Sequence, residues 1–496
     1  MKRSFDQQAV LRDTTHYLAA TYLTRALCVV RGFLNARILG PQLYGFWGSL
    51  SFLLSFGFHL HGGVQDILIK EIPTYRSRGQ MSLARRTYQI AFTFFFMTLL
   101  GATILIWLFA WRLPPETPSV IRWGWWVGGI TLPLEALYFF EQNVARSEER
   151  FREIGRQLVF TSFISLLLTC GLVIRYGLPG LLIVAVLTSV IGLWSLRRHN
   201  PTPWRLLWSW PKLRLMLRAG WPILAMTMIF ESLWWVDRLV VLKLLGTTHF
   251  GYYGLAATVT QLCFLFPVLM ASVIEPRIYF DYARSKRSPQ IREHLWFLLK
   301  TQALLMPAVL LGTDLLMLPF IQRWLPAYTP SIPAMRLLVW GSFFMGLALC
   351  TKPVIIAMGK QLQALTFYGI AIGVNVVMST ALVLQGTGLW GAALGTGLAY
   401  GTCCAGLLIF SFRKLEWSAR EAAIRLALLI IPWGVALSLT AAPTVLSRAV
   451  GCFVYSMVAL LIVFRQIQAK KPVKPSPLVE VTQNLPPVSS LEEISA

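Results

Sequence analysis

Two apolar runs of this 496-residue chain are interrupted by charge: Arg25 and Arg31 in one, Glu231, Asp237 and Arg238 in the other. An ionisable side chain at the centre of a bilayer costs about 2.5–3.5 kcal/mol on insertion scales, so such residues face a water-filled cavity or each other. Arginine carries a planar fork that makes paired hydrogen bonds to phosphate oxygens and stays charged where the dielectric is low. The chemistry implied is recognition of an anionic headgroup by Arg25, Arg31 and Arg238. Arg25 and Arg31 stand six residues apart, about 240° around a helix, so one is expected to face the cavity and the other to serve a gate. Glu231 and Arg238, seven apart, share a helix face. Asp66, Glu135, Glu141 and Asp314 also lie in or beside apolar runs. Carboxyls so placed suit proton coupling, with Asp66 and Glu141 as the first candidates, and sodium coupling fits equally well.

Little else in the chain promises chemistry. The seven cysteines (Cys28, Cys170, Cys263, Cys350, Cys403, Cys404 and Cys452) all fall in apolar runs without the spacing of a metal or redox site. They read as small core residues. His59 and His61 are two apart and point in nearly opposite directions on a helix, so no zinc site is expected there. Neither a phosphate-cradling glycine loop nor a nucleophile elbow is present. No enzyme activity and no cofactor are expected.

The elements that must position these residues follow from composition. The chain is 56% hydrophobic and 13% charged, with 19 Trp and 30 Phe, outside the usual range of soluble domains. Apolar runs of bilayer-crossing length recur along it. The reading is an all-α polytopic membrane protein of about 14 spans, beginning at 15–35 and 43–69 and ending at 424–441 and 447–464. Arg37, Arg112, Arg122, Arg175, Lys243, Arg323 and Arg448 fall on one side of these spans and most other basic residues on the opposite side. The basic side is cytoplasmic, which puts both termini in the cytoplasm. A net charge of +24 spread over these loops fits anionic membrane lipids, and no nucleic-acid partner is expected. The first span carries two arginines and no small-residue cleavage site, so it is not a signal peptide.

The stretch RILGPQLYGFW (37–47) returns 206 residues later as KLLGTTHFGYY (243–253). With six spans between the copies, an even number, the repeats run parallel about an axis along the membrane normal. Gly177-Leu178-Pro179-Gly180 and Gly388-Leu389-Trp390-Gly391 mark a second echo, each before the sixth span of its half. The organisation expected is a six-helix lobe over 1–199, an amphipathic cytoplasmic linker helix over 200–218, a second six-helix lobe over 219–412, two further helices over 413–465, and a disordered cytoplasmic tail over 466–496. The same offset sets Glu231 against Arg25 and Asp237 against Arg31, at equal depth and opposite in charge. The two pairs are expected to clamp the lobes together across the cavity until an anionic headgroup competes for the arginines.

RILGPQLYGFW, the stretch KEIPTYRSRGQ (70–80) and WVDRLVVLKLLGTTHFGYY (235–253) resemble the polysaccharide flippases, which share a superfamily with multidrug and toxin extrusion antiporters and lipid II flippases. The resemblance runs to about residue 465. It implies a protein of the cell inner membrane that moves a polyprenyl-pyrophosphate-linked oligosaccharide from the cytoplasmic to the outer leaflet by alternating access. Polysaccharide polymerase and glycosyltransferases are the implied protein partners, and the last two helices are implied to form a groove for the lipid tail. A cation-coupled multidrug antiporter is the alternative, but two arginines in the first span disfavour a cationic cargo. An intramembrane polymerase or ligase normally carries long outer loops, and the outer loops here are short.

Overall fold

A computed structural model describes residues 7–148, 150–198, 200, 202–284, 289–441 and 444–469. The tail expected from 466 onward lies, from 470, outside the described residues. Among the described residues every regular element is helical.

The described residues form fourteen passes, several of them interrupted. Helix α1 (Gln7–Phe56) contains the first pass and most of the second, broken at Gly40, and the second continues through a 3-10 turn (Gly57–His59) into α2 (Val64–Ser77). Passes three and four are α3 (Met81–Trp111) and α4 (Ser119–Ser147). The fifth joins α5 (Phe151–Leu168) to α6 (Ile174–Tyr176) through a π-turn, and the sixth is α7 (Leu178–Arg197). The seventh is split into α8 (Trp210–Ser232) and α9 (Val236–Leu245), the eighth into α10 (Thr247–Cys263) and α11 (Leu265–Arg284). There follow α12 (Pro289–Trp324), α13 (Ile332–Ala357), α14 (Gln361–Leu382), α15 (Gly388–Lys414), α16 (Ala419–Leu439) and α17 (Val445–Ala469). Ten runs qualify as membrane spans by length and composition alone, α14 and α15 being counted there as one. The first, second and fourth passes carry charges or backbone breaks and do not register on that criterion, and the seventh registers through α8 alone.

The duplication is visible in the backbone. Gly40 and Gly246, equivalent by the 206-residue offset, adopt φ/ψ of 69°/171° and 85°/−178°. Gly177 and Gly388 adopt 60°/−130° and 59°/−137°, and a π-turn precedes each. Positive φ is open to glycine because it lacks a Cβ, which is why the same residue punctuates both halves. The hydrophobic core is likewise double. One cluster runs from Leu39 to Met216, the other from Leu233 to Ala436 with Ala36 added to it. Two six-helix bundles lie side by side, with α16 and α17 packed against α12. Large apolar side chains such as Leu105, Phe160, Val377, Leu446 and Phe453 face outward, as they must where the surroundings are lipid.

The bundles meet through backbone. A Cβ on Gly45 would collide with the Thr247 carbonyl, and one on Gly251 with the Pro41 carbonyl. The offset relates Pro41 to Thr247 and Gly45 to Gly251, so each copy of the repeated motif docks on the other in a self-complementary contact. Nearer the linker Gly63, just before α2, and Gly220 of α8 touch in the same way, and Lys212 bridges to Glu71 at 2.8 Å.

The linker differs from expectation. Residues 203–209 carry no helix, and helix begins only at Trp210. A local pull explains the difference. Glu141, 2% exposed, accepts hydrogen bonds from Tyr88 Oη (2.5 Å), Asn200 Nδ2 (2.8 Å) and Trp204 Nε1 (2.9 Å), with Arg197 at 3.5 Å. The Leu207 amide adds a bond to Thr93. The first lobe thereby captures the start of the linker and holds it extended.

Two outcomes follow. Gly45→Ala and Gly251→Ala each force two backbones apart and lower stability by about 1–3 kcal/mol, read as a lower Tm in detergent. Gly254→Ala on the same helix, where a Cβ meets nothing within 4 Å, leaves Tm unchanged. Glu141→Ala strands several buried donors at a cost of about 3–5 kcal/mol, and the released 203–209 segment becomes sensitive to limited proteolysis.

Candidate functional site

Between the lobes lies a cavity of about 260 Å³ lined by the first pass (Arg25, Cys28, Arg31, Asn35), by Tyr44 and Trp47 of the second, and by Thr258 and Gln261 of the eighth. Arg25 and Arg31 both line it, although a helical wheel separates them; their long stems reach round the helix to a common space. Arg31 donates to Ser165 Oγ on α5 and lies in electrostatic reach of Glu135 on α4. Among the described residues Arg25 forms no ion pair. Tyr44 and Thr258 line the cavity from opposite lobes, and Tyr44 lies in electrostatic reach of both Arg31 and Arg238. The cavity walls carry two arginines and no acid.

Neither expected clamp forms. Glu231 Oε2 lies 2.9 Å from His59 Nε2, not on Arg25. Asp237, 4% exposed, accepts from Tyr253 Oη (2.6 Å), Thr396 Oγ1 (2.9 Å) and the Arg238 amide (2.8 Å), all in its own lobe. The reason is a break in the seventh pass. Residues 233–235 leave the helix between α8 and α9, so Glu231 ends one segment and Asp237 and Arg238 begin another. Equal depth in the repeat fixes height but not azimuth, and the break also removes the helix face that Glu231 and Arg238 were expected to share. Arg238 instead stacks on Trp235, 4.3 Å from the ring centroid, and its Nε is buried with no hydrogen-bond partner.

Sequence reasoning missed His59 as the partner of Glu231. The signal available was the run Gly57-Phe-His-Leu-His-Gly-Gly63, whose glycines break the second pass opposite the break in the seventh. His61 accepts a bond from the Gly63 amide on its Nδ1 (3.0 Å), and the two histidines do not converge. Among the described residues no group of three His, Cys, Asp or Glu could hold a metal ion. Asp66 sits in the first turn of α2 beside this break, and Glu141 is the linker anchor described above. Asp314 makes a two-pronged pair with Arg336 (2.7 and 3.0 Å) inside the second lobe.

A second polar nucleus surrounds Asp237. Thr396 Oγ1 also lies 3.1 Å from the Ala392 carbonyl, and Ser379 Oγ lies 3.2 Å from the same carbonyl and 2.9 Å from Asn375 Oδ1. All of these residues are fully buried or nearly so. The donor set is oxygen throughout, the kind that suits hard cations rather than transition metals.

Solved structures share this arrangement of helices. The lipid II flippase MurJ in an inward closed conformation superposes with a TM-score of 0.71 at 16% identity, covering 91% of this chain and 99% of that one. A multidrug resistance MATE family transporter of the MOP superfamily, inward-facing, gives 0.62 at 13% identity, covering 81% and 98%. Among curated relatives, the probable multidrug resistance protein NorM of Xylella fastidiosa (strain Temecula1) is 24% identical over 321 residues, 58% of this chain and 64% of that protein. The match thus spans less than two thirds of that relative's length. The model of the family described as polysaccharide biosynthesis protein matches residues 34–313, more than half of the chain. That stretch holds both repeated motifs and the fractured seventh pass, and with them the chain belongs to the polysaccharide biosynthesis protein family.

Proposed function

We propose that the protein is a flippase that carries a polyprenyl-diphosphate-linked oligosaccharide from the cytoplasmic to the outer leaflet of the cell inner membrane, both termini being cytoplasmic. The observation that carries this reading is the interlobe cavity lined by Arg25 and Arg31 with no acidic wall. A diphosphate needs fixed cationic donors away from bulk water, and arginine supplies them in pairs. Arg238, with an unused Nε next to Tyr44, adds a third donor as the lobes move. The groove of about 390 Å³ between α12, α16 and α17, walled by residues such as Pro432, Val435, Val454 and Val458, offers an apolar track for the polyprenyl tail. In this reading the contact of Gly45 with Gly251 closes the outer end, and the lobes rock about it to expose the cavity alternately. Membrane lipids surround the protein, and the polymerase and glycosyltransferases that handle the same lipid are its functional partners.

The driving ion, sodium or proton, is assigned to the oxygen nucleus at Asp237, whose carboxylate, hydroxyls and carbonyl suit a small hard cation. Glu141, saturated by the linker, is a poor choice for that task. Multidrug antiport is the second reading, favoured by the names of the NorM relatives. The two cavity arginines repel the cations such a pump would export.

In proteoliposomes containing a fluorescent polyprenyl-diphosphate glycan, Arg31→Ala and Arg25→Ala each slow flipping by about 10- to 100-fold, the worth of a lost charge-assisted hydrogen bond. Unchanged flipping in well-folded variants refutes the reading. Deleting the gene leads to accumulation of a lipid-linked glycan; drug sensitivity without such accumulation selects the antiporter instead.

A further inference from the structure

Asn35 stands one helical turn beyond Arg31 and lines the same cavity. It is 4% exposed, yet its Oδ1 has no hydrogen-bond partner. A buried amide oxygen without a donor is rare in a native fold, because the lost hydration is not replaced. Where one lines a cavity, the missing hydrogen is expected to come from what the cavity binds. The surroundings narrow the choice. Helical rise puts Arg31 about 9 Å beyond Arg25, and Asn35 about 6 Å beyond Arg31. A headgroup entering from the linker end therefore meets two guanidinium groups first and the amide last, just short of the closed glycine contact. Trp47 adds a flat apolar wall and Gln261 a second amide to the lining of the same cavity. At about 260 Å³, the space is smaller than the roughly 300–1,000 Å³ that encloses a drug-sized ligand. It suits a diphosphate and one ring, not a whole oligosaccharide.

We infer that Asn35 is a specificity-determining residue: its Oδ1 accepts a hydrogen bond from an O–H or N–H of the sugar attached directly to the diphosphate, while Arg25 and Arg31 hold the phosphates. The inference rests on the flippase reading and adds the recognition of the first sugar to it. Nothing about longer glycans is required. Asn35 touches no phosphate in this arrangement, so its removal separates sugar recognition from phosphate binding.

The test measures binding of two probes, undecaprenyl diphosphate and undecaprenyl diphosphate bearing a single N-acetylglucosamine, to the full-length protein in nanodiscs. The wild type binds the glycosylated probe about tenfold more tightly, the worth of one buried hydrogen bond. Asn35→Leu brings the two affinities together and leaves that for the bare diphosphate unchanged; Arg31→Ala weakens both. If Asn35→Leu does not fold, Asn35→Ala, which adds no bulk, replaces it with the same expected result. Failure of the wild type to bind either probe overturns the flippase reading itself. Binding of both with no preference in the wild type, or a preference that survives substitution of Asn35, overturns the role of Asn35 and leaves the flippase reading standing.

Discussion

The architecture depends on one contact in which two copies of the same short sequence bury their glycines against each other. Gly45 meets the Thr247 carbonyl and Gly251 meets the Pro41 carbonyl, so any side chain at either glycine would hold the bundles apart. Backbone-to-backbone packing is how helices associate in lipid, where apolar side chains gain little by leaving one hydrocarbon surface for another. A contact of this kind is short-ranged and carries no charge. It can hold two rigid bundles together at one end and still let them tilt.

The polar groups between the lobes are arranged around that seam. The two breaks, at 57–63 in the second pass and 233–235 in the seventh, release backbone groups where they line the space between lobes, the setting in which irregular backbone is tolerated at membrane depth. His59 and Glu231 bridge the breaks. Above them Arg25 and Arg31 take the cavity, and Asp237 withdraws into the second lobe. Separating the cationic cavity from the acidic nucleus has a physical consequence. Under the proposed function, cargo and coupling ion would not compete for one another's ligands, and Arg238, next to Asp237 and in electrostatic reach of Tyr44, stands between the two environments.

The linker shows how strongly a buried charge can organise backbone. Trp204, Trp208 and Trp210 with their basic neighbours have the composition of an interfacial helix. Glu141, buried among Tyr88, Asn200 and Trp204, instead demands donors, and the chain supplies them by staying extended. A carboxylate left without partners at that depth would cost more than the helical bonds given up over a few residues.

What the sequence by itself determined was one-dimensional: how often the chain turns back, where glycine must replace other residues, and which half mirrors which. Those features rest on hydropathy over some twenty residues and on the absence of a Cβ, both local properties. The positions of Gly40, Gly177, Gly246 and Gly388 were legible for that reason, as was the placing of Arg25 and Arg31 in a polar space. Tertiary structure alone decided who pairs with whom. Glu231 finds His59 and Asp237 finds Tyr253 and Thr396, because a partner is chosen by azimuth and reach across helices that lie from 16 to 172 residues apart in the chain, and a three-residue break in the seventh pass resets both.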